Sequence, residues 1–310
     1  MTGWPRTNEV GSGTVLVTGA TGFIGRRLLQ PGNRALVRRP ARLANEVMGD
    51  LADPATLERA CAGVDTVFHC AGLARAERST NPDLQWRINF QGTKNLLQAA
   101  GRAGVRRFVF FSSVKAMAKP GGACADEDWP GEPDTPYGRA KRAAETAVLE
   151  AGAVYGMHVV NLRLAMVYGR GGQGNLERLA RGLRAGWFPC LVVPNNRRSV
   201  VHVQDVVEVA RLVAYRPEAS GQTYIISDPR AYTTQALCEA ILAVPPQPAL
   251  RWRMPAWPIA LGGRLHPRLN QLAEQLLGSA WYSPARIERE LSWRARVGLA
   301  EGVREMLCTG

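Results

Sequence analysis

The chain has 310 residues, 46% hydrophobic and 21% charged, a composition that supports a sizeable core and excludes a disordered chain. Lys and Arg number 39 against 26 Asp and Glu, a net charge of +13 that suits anionic ligands; no nucleic-acid motif accompanies it, which argues against nucleic acid as a partner. The four histidines and six cysteines lie far apart with no CxxC pair, so we expect no metal site, and reduced thiols in a cytoplasmic protein.

Residues 1–13 are polar and Gly-containing, which predicts a tail and not a signal peptide. No apolar run approaches the ~18 residues of a membrane span. Thr14–Thr18 is a short β-branched run and reads as a buried parallel strand. Phe23–Gln30 begins a helix that Pro31-Gly32 stops early. Ala35–Arg38 is a second strand, Pro54–Cys61 a helix and Thr66–Cys70 a third strand. A long helix over Asn89–Gly101 leads to a fourth strand, Arg107–Phe111. After a Gly/Pro/Asp-rich loop, Pro120–Pro136, come a helix over Tyr137–Gly152 and a strand over His158–Leu164. Gly169–Gly174 is a glycine-rich loop, Asp205–Tyr215 a helix and Thr223–Ser227 a strand. This alternation predicts an α/β fold, a Rossmann-type doubly wound parallel sheet with a smaller C-terminal substrate-binding part. The dinucleotide-binding domain is assigned to 14–168 and 199–228, and the substrate-binding part to 169–198 and 229–310.

Thr18-Gly19-Ala20-Thr21-Gly22-Phe23-Ile24-Gly25 joins the first strand to a helix. Its GxxGxxG spacing allows a tight turn and close backbone approach to a pyrophosphate, with Gly19, Thr21, Gly22, Phe23, Ile24 and Gly25 lining it. An acidic residue after the second strand would favour NAD; Arg38 and Arg39 stand there instead, suited to the 2′-phosphate of NADP or simply solvated. Asp50 and Leu51 fall near the expected adenine position, although Asp50 also reads as a helix cap before Pro54.

Tyr137 and Lys141 form a YxxxK pair on one helix face. A free tyrosine titrates at about 10, and a nearby ammonium stabilises the phenolate and lowers that value. Ser113, 24 residues earlier at a strand end, can hydrogen-bond a substrate oxygen; Ser112 is the alternative.

These motifs resemble the extended short-chain dehydrogenase/reductase superfamily, in its NAD-dependent epimerase/dehydratase branch. The resemblance runs from about Thr14 to Leu307 and includes TGATGFIG, GDLAD at 49–53, HCAG at 69–72, NFQGTKNLLQAA at 89–100, FFSS at 110–113, YGRAK and LRLAMVYGRGGQGN at 162–175. NRRSVVHVQDVV at 196–207, GQTYIISD at 221–228 and ELSWRARVGLAEGVREML at 290–307 look most like bacterial 4-epimerases of surface-polysaccharide assembly. The resemblance implies Ser113, Tyr137 and Lys141 as catalytic triad, with Tyr137 and Lys141 also facing the cofactor. It implies Cys70, Ala71, Gly72 and Asn89 beside the cofactor, Asn89 as a structural or relay residue. It places Asn175 and Arg198 near a substrate diphosphate, and Ser113 and Lys115 against the substrate.

Three departures stand out. The first helix is short; the serine segment reads SSVKAMA where sugar epimerases end in Val-Tyr-Gly, so that Lys115 and Met117 face the site; and LRLAMVYG lacks the proline that commonly follows the arginine. Two functions are therefore expected: an epimerase of a nucleotide- or lipid-linked diphospho-sugar holding NAD, or a NADP-dependent reductase or dehydrogenase of an apolar alcohol or ketone. GQTYIISD also resembles the 3β-hydroxysteroid dehydrogenases. A non-catalytic dinucleotide sensor is disfavoured by the intact Ser113, Tyr137 and Lys141. Leu250–Leu265, with Trp252 and Trp257 among Arg251, Arg253 and Arg264, fits either an interfacial helix on an acidic membrane or a lid over the cleft; Pro255 and Pro258 weaken a long helix. Helices at 89–101 and 137–150 form a dimer interface in many relatives, which implies a homodimer.

Overall fold

The computed structural model describes residues 13–73, 81–193, 195–245, 252–255, 257, 259, 261, 273 and 276–308. The expected N-terminal tail and most of the expected helix at 250–265 lie outside these residues. Seven strands make one sheet: β1 (Val15–Thr18), β2 (Arg34–Val37), β3 (Glu46–Met48), β4 (Thr66–His69), β5 (Arg107–Ser113), β6 (His158–Leu164) and β7 (Gln222–Ile226). Their spatial order is β7-β6-β5-β4-β1-β2-β3, and every pairing is parallel. The chain runs from β1 to one edge, then returns to β4 beside β1 and proceeds to the other. That reversal opens a crevice at the C-terminal ends of β1 and β4, the place where open α/β sheets bind ligands.

Helices cover both faces, as parallel strands require. Leu16 of β1 and Phe108 and Phe110 of β5 point into a core shared with α2 (Pro54–Cys61), α4 (Gly92–Arg102) and α5 (Pro136–Tyr155). Val15, Val17, Val109 and Phe111 point the other way, against α7 (Val203–Tyr215) and α9 (Ala285–Leu291). A third core, with Tyr168, Leu176, Val200, Leu237, Ile241 and Val303, is built on α6 (Asn175–Arg184), α8 (Thr234–Leu242) and α10 (Leu299–Leu307).

Several elements differ from the sequence expectation. The first helix, α1, is a single turn, Gly25–Leu28, and not Phe23–Gln30. Pro31 drives its predecessors out of helical conformation, and Leu29 is already extended at ψ 131°. The Arg211 guanidinium of α7 offsets the lost turn by donating to the carbonyls of Arg27 (3.3 Å) and Leu28 (3.4 Å), which the helix end would leave bare. Strand β3 went unforeseen because three mixed residues on a sheet edge carry no hydrophobic run. The helix expected from Asn89 starts earlier: α3 (Pro82–Trp86), capped by the Asn81 side chain, passes through a wide turn at Arg87–Gln91 into α4. Residues Arg253–Pro255 form a short strand paired with Cys190–Val192, not part of a helix.

Trp293, 1% exposed, plugs the core beneath α7 and α9. Trp293→Ala should lower the unfolding free energy by about 3–5 kcal/mol in urea titration; a loss below about 1 kcal/mol would place this indole outside the cooperative core.

Candidate active site

The glycine loop is built by contact. Gly19 adopts φ +64°, and its amide neighbourhood touches β4's extension: a Cβ there would meet the Ala71 nitrogen at 2.7 Å. A Cβ on Gly25 would lie 2.2 Å from the Gly19 carbonyl oxygen, so that position admits glycine alone. The Gly22 amide donates to the Gly19 carbonyl at 2.8 Å and closes the turn. Thr21 and Gly22 are exposed at the crevice, while Phe23 and Ile24 are half-buried. Without Cβ atoms at Gly19, Gly22 and Gly25, the turn has the close backbone packing that approach to a dinucleotide pyrophosphate requires. Arg27 grips it from below: its guanidinium donates to the Phe23 carbonyl at 2.9 Å, covers the Phe23 ring at 4.6 Å and bonds the Arg170 carbonyl. One arginine thus ties the cradle to the loop Gly169–Gly174.

A buried polar chain holds the next strip. The Thr18 hydroxyl accepts from the Ala71 amide (3.1 Å) and donates to His69 Nδ1 (2.7 Å). His69 Nε2 then donates to the Thr93 hydroxyl (2.9 Å), which donates to the Asn89 carbonyl (2.8 Å). The two hydroxyls fix the tautomer as Nε2–H, since each has one proton to give. Burial, aided by the Lys141 charge, pushes the His69 imidazole down to about 3, so it is neutral. Asn89, turned inward by the wide turn, accepts from the Leu73 amide at 2.8 Å and donates to Gln85 Oε1 at 2.6 Å. It clamps the segment carrying Cys70, Ala71 and Gly72, and a Cβ on Gly72 would press on its Oδ1 at 2.8 Å.

Arg38 and Arg39 are exposed directly after β2. Asp50 is exposed and its Oδ1 accepts from the Ala52 amide at 2.9 Å; the cap of α2 is Asp53, not Asp50. Leu51 is half-buried, and its carbonyl accepts from Asn95 at 2.9 Å.

Ser113 ends β5 near the Tyr137 phenol, and its hydroxyl accepts from the Lys115 amide at 3.2 Å. Ser112, the alternative, points away: it is buried and donates to Glu145 at 2.5 Å. Tyr137 stands in the first turn of α5, after the Thr135 cap and Pro136. One turn on, Lys141 is buried; its ammonium donates to the Phe111 carbonyl at 2.6 Å and covers the Phe110 ring at 3.9 Å. His69 stacks on the same ring at 5.5 Å, so the two polar systems share Phe110.

The electrostatics correct one expectation. The phenol is pushed up to about 12, not down: burial dominates, the Ser113 hydrogen bond opposes it and the Glu145 charge adds to it. Burial likewise pulls Lys141 down to about 7, against the stabilising charge of Glu145. The Lys141 hydrogen bond goes to the Phe111 carbonyl and not to the phenol.

Lys115 is exposed, and its carbonyl would lie 2.2 Å from a Cβ on Gly138. Met117, expected to face the site, is instead buried with Val114, Ala165, Ile225 and Tyr282. Asn175 is the exposed first residue of α6. Arg198 is half-buried, pairs its backbone with Tyr232 at 2.8 and 2.9 Å and bridges to Ala280. Burial lowers its guanidinium.

Sequence reasoning missed Glu145 and Arg163. Glu145, buried at 3%, accepts Ser112 and a forked pair from Arg163 at 2.8 to 3.2 Å. Arg163 also donates to the Glu127 carbonyl at 2.8 Å. The signal was present: Glu145 continues the i, i+4 spacing of Tyr137 and Lys141.

The NAD dependent epimerase/dehydratase family model matches residues 15–227. UDP-glucose 4-epimerase of Vibrio cholerae is 27% identical over 94% of this chain and 94% of that protein. The 3 beta-hydroxysteroid dehydrogenase/Delta 5-->4-isomerase of Mycobacterium tuberculosis is 30% identical over 95% of this chain and 90% of its own. Among solved structures, MoeE5 in complex with UDP-glucose and NAD superposes with a TM-score of 0.76 at 27% identity, covering 95% of this chain and 97% of that one.

Neutral, buried His69 makes stability depend on pH. Its folded value lies below the unfolded one, so the unfolded chain binds the extra proton and stability falls as pH drops from about 6.5 towards 3. His69→Gln should flatten the unfolding free energy across that window, by about 1.4 kcal/mol per pH unit at the steepest; an unchanged slope would mean that His69 does not titrate on unfolding. The chain belongs to the NAD-dependent epimerase/dehydratase family, enzymes of the short-chain dehydrogenase/reductase type.

Proposed function

We propose that this enzyme is a 4-epimerase of a diphosphate-linked sugar, working by reversible oxidation at C4. The observation that carries the reading is the meeting of Ser113, Tyr137 and buried Lys141 at the C-terminal end of β5, beside the glycine cradle. The full-length likeness to a UDP-glucose 4-epimerase supports the sugar. A bound nicotinamide dinucleotide would supply the acceptor, and then the donor, of the hydride at C4. Tyr137 removes the hydroxyl proton, and Ser113 holds the same oxygen by hydrogen bond. Lys141 holds the nicotinamide ribose and, when charged, draws the phenol towards ionisation. The cradle Gly19–Gly25 would hold the pyrophosphate, Asp50 and Leu51 the adenine end, and the clamped strip Cys70–Gly72 would line the cofactor's path. Lys115, Asn175 and Arg198 serve the anionic end of the substrate, a role that suits their charge and polarity.

Arg38 and Arg39, exposed where a ribose 2′-phosphate would lie, favour a second reading: a NADP-linked reductase or dehydrogenase of an apolar alcohol or ketone. The relationship to a 3 beta-hydroxysteroid dehydrogenase supports it. A cytoplasmic homodimer belongs to the proposal too. Leu149 is an exposed apolar side chain within the helices expected at the interface, 89–101 and 137–150, and Trp86, Val154 and Tyr155 are exposed just beyond their ends. No helix among the described residues is long and apolar enough to cross a membrane.

Denaturing the purified protein and identifying the released nucleotide by mass separates the readings. The epimerase predicts close to one NAD per chain carried through purification. A protein that arrives empty and binds NADPH reversibly overturns it in favour of the reductase.

A further inference from the structure

Side chains alternate along a strand, so Phe108, Phe110 and Ser112 of β5 face the same way, towards α5. The two phenylalanines extend the apolar core; the buried serine interrupts it. Its hydroxyl donates to Glu145 at 2.5 Å. Arg163, the register partner of Ser112 on β6, donates to the same carboxylate, to Oε1 at 3.1 Å and to Oε2 at 2.8 and 3.2 Å. Glu145 thus straddles two neighbouring strands. Both its oxygens stay engaged by Arg163 without the serine, so the hydroxyl is not needed to satisfy the carboxylate. What the hydroxyl adds is direction. Apolar surfaces pack without a preferred register, whereas a hydrogen bond holds two atoms at one separation and angle.

That bond is one of three contacts between α5 and the end of β5. One turn before Glu145, the Lys141 ammonium donates to the Phe111 carbonyl at 2.6 Å. One turn before that, Tyr137 stands near Ser113. Three helix positions, each a turn apart, therefore meet three consecutive strand residues. Of these contacts, only the one between Ser112 and Glu145 involves no group assigned to the chemistry. It lies at the buried end of the ladder, and the proton-transfer pair lies at the other.

We propose, on the active-site reading of Ser113 and Tyr137, that Ser112 and Glu145 are positioning residues whose bond fixes α5 along β5 and so brings the Tyr137 phenol to Ser113. Neither touches substrate or cofactor. Reacting groups must be held to within about 0.5 Å, and a misplacement of about 1 Å can cost about 10²-fold in rate. A register bond two side chains away from the chemistry is therefore read out in turnover and not in affinity.

Ser112→Ala is the test, with Tyr137→Phe as the reference. It removes the bond and leaves Glu145 paired with Arg163. Reduced-nicotinamide absorbance is followed with UDP-hexoses and with hydroxysteroids on the nucleotide-loaded proteins. Ser112→Ala should lower kcat about tenfold or more, with KM and nucleotide occupancy unchanged. A crystal structure of Ser112→Ala, which needs no substrate, should show the separation of Ser113 and Tyr137 changed by about 0.5 Å or more. Should the alanine variant not fold, Ser112→Cys keeps the size, weakens the donor and is read in the same way. The positioning role is overturned if the variant leaves that separation unchanged, or if it turns over at the full rate while Tyr137→Phe is slow. Full activity in Tyr137→Phe would instead overturn the active-site reading itself, and the crystal structure would still decide whether Ser112 sets the register.

Discussion

The site depends on one buried carboxylate. Glu145 sits within the core with a lysine one helical turn before it and the Arg163 guanidinium bonded to it through both oxygens. Burying three ionisable groups together is costly, and it succeeds because each finds an opposite charge or a carbonyl: Glu145 for Arg163, the Phe111 carbonyl for Lys141, the Glu127 carbonyl for Arg163. Glu127 in turn accepts the Ile225 amide at 2.7 Å, so the chain of contacts runs from α5 through β6 to β7. Removing the carboxylate would leave Arg163 buried without its counter-charge and take from Lys141 the charge that opposes its desolvation. Helix α5 is therefore fixed by electrostatic pairing as much as by its apolar face.

A second, neutral network performs the same service on the cofactor side. Thr18, His69 and Thr93 join the ends of β1 and β4 to α4, and Asn89 extends the hold to Leu73. Phe110 separates this uncharged chain from the Lys141 ammonium while touching both. The single-turn α1 adds little dipole of its own, because that effect builds over aligned peptides. Its place is secured by Arg211 of α7 on its C-terminal carbonyls and by its own Arg27 spanning to the Arg170 carbonyl. The departure visible as a short first helix is thus absorbed by Arg211 of α7 and by Arg27 of α1 itself.

Much of this was legible beforehand, for identifiable reasons. The βαβ alternation follows from apolar runs of strand length, and the cradle from glycines whose missing Cβ atoms the structure shows to be required at Gly19 and Gly25. The YxxxK spacing carries Tyr137 and Lys141 to one face, and strand alternation sends Ser112 and Ser113 to opposite sides. What stayed hidden depends on tertiary context. Spacing shows that Lys141 is near Tyr137, but burial decides that the phenol rises instead of falling. Met117 looked like a site residue by position, yet it packs in a satellite core that only distant segments create. His69 gave no sign in sequence, since its partners lie 51 and 24 residues away.

In the proposed reaction the Tyr137 hydroxyl moves the proton that accompanies hydride transfer. The direct measurement is the appearance of reduced-nicotinamide absorbance after UDP-hexoses or hydroxysteroids are added to the nucleotide-loaded protein, with and without Tyr137→Phe. The account predicts reduction in the unsubstituted enzyme with one of these classes, and a rate lower by about 10²-fold or more in the phenylalanine variant at equal nucleotide occupancy. Equal rates in the two proteins would contradict it.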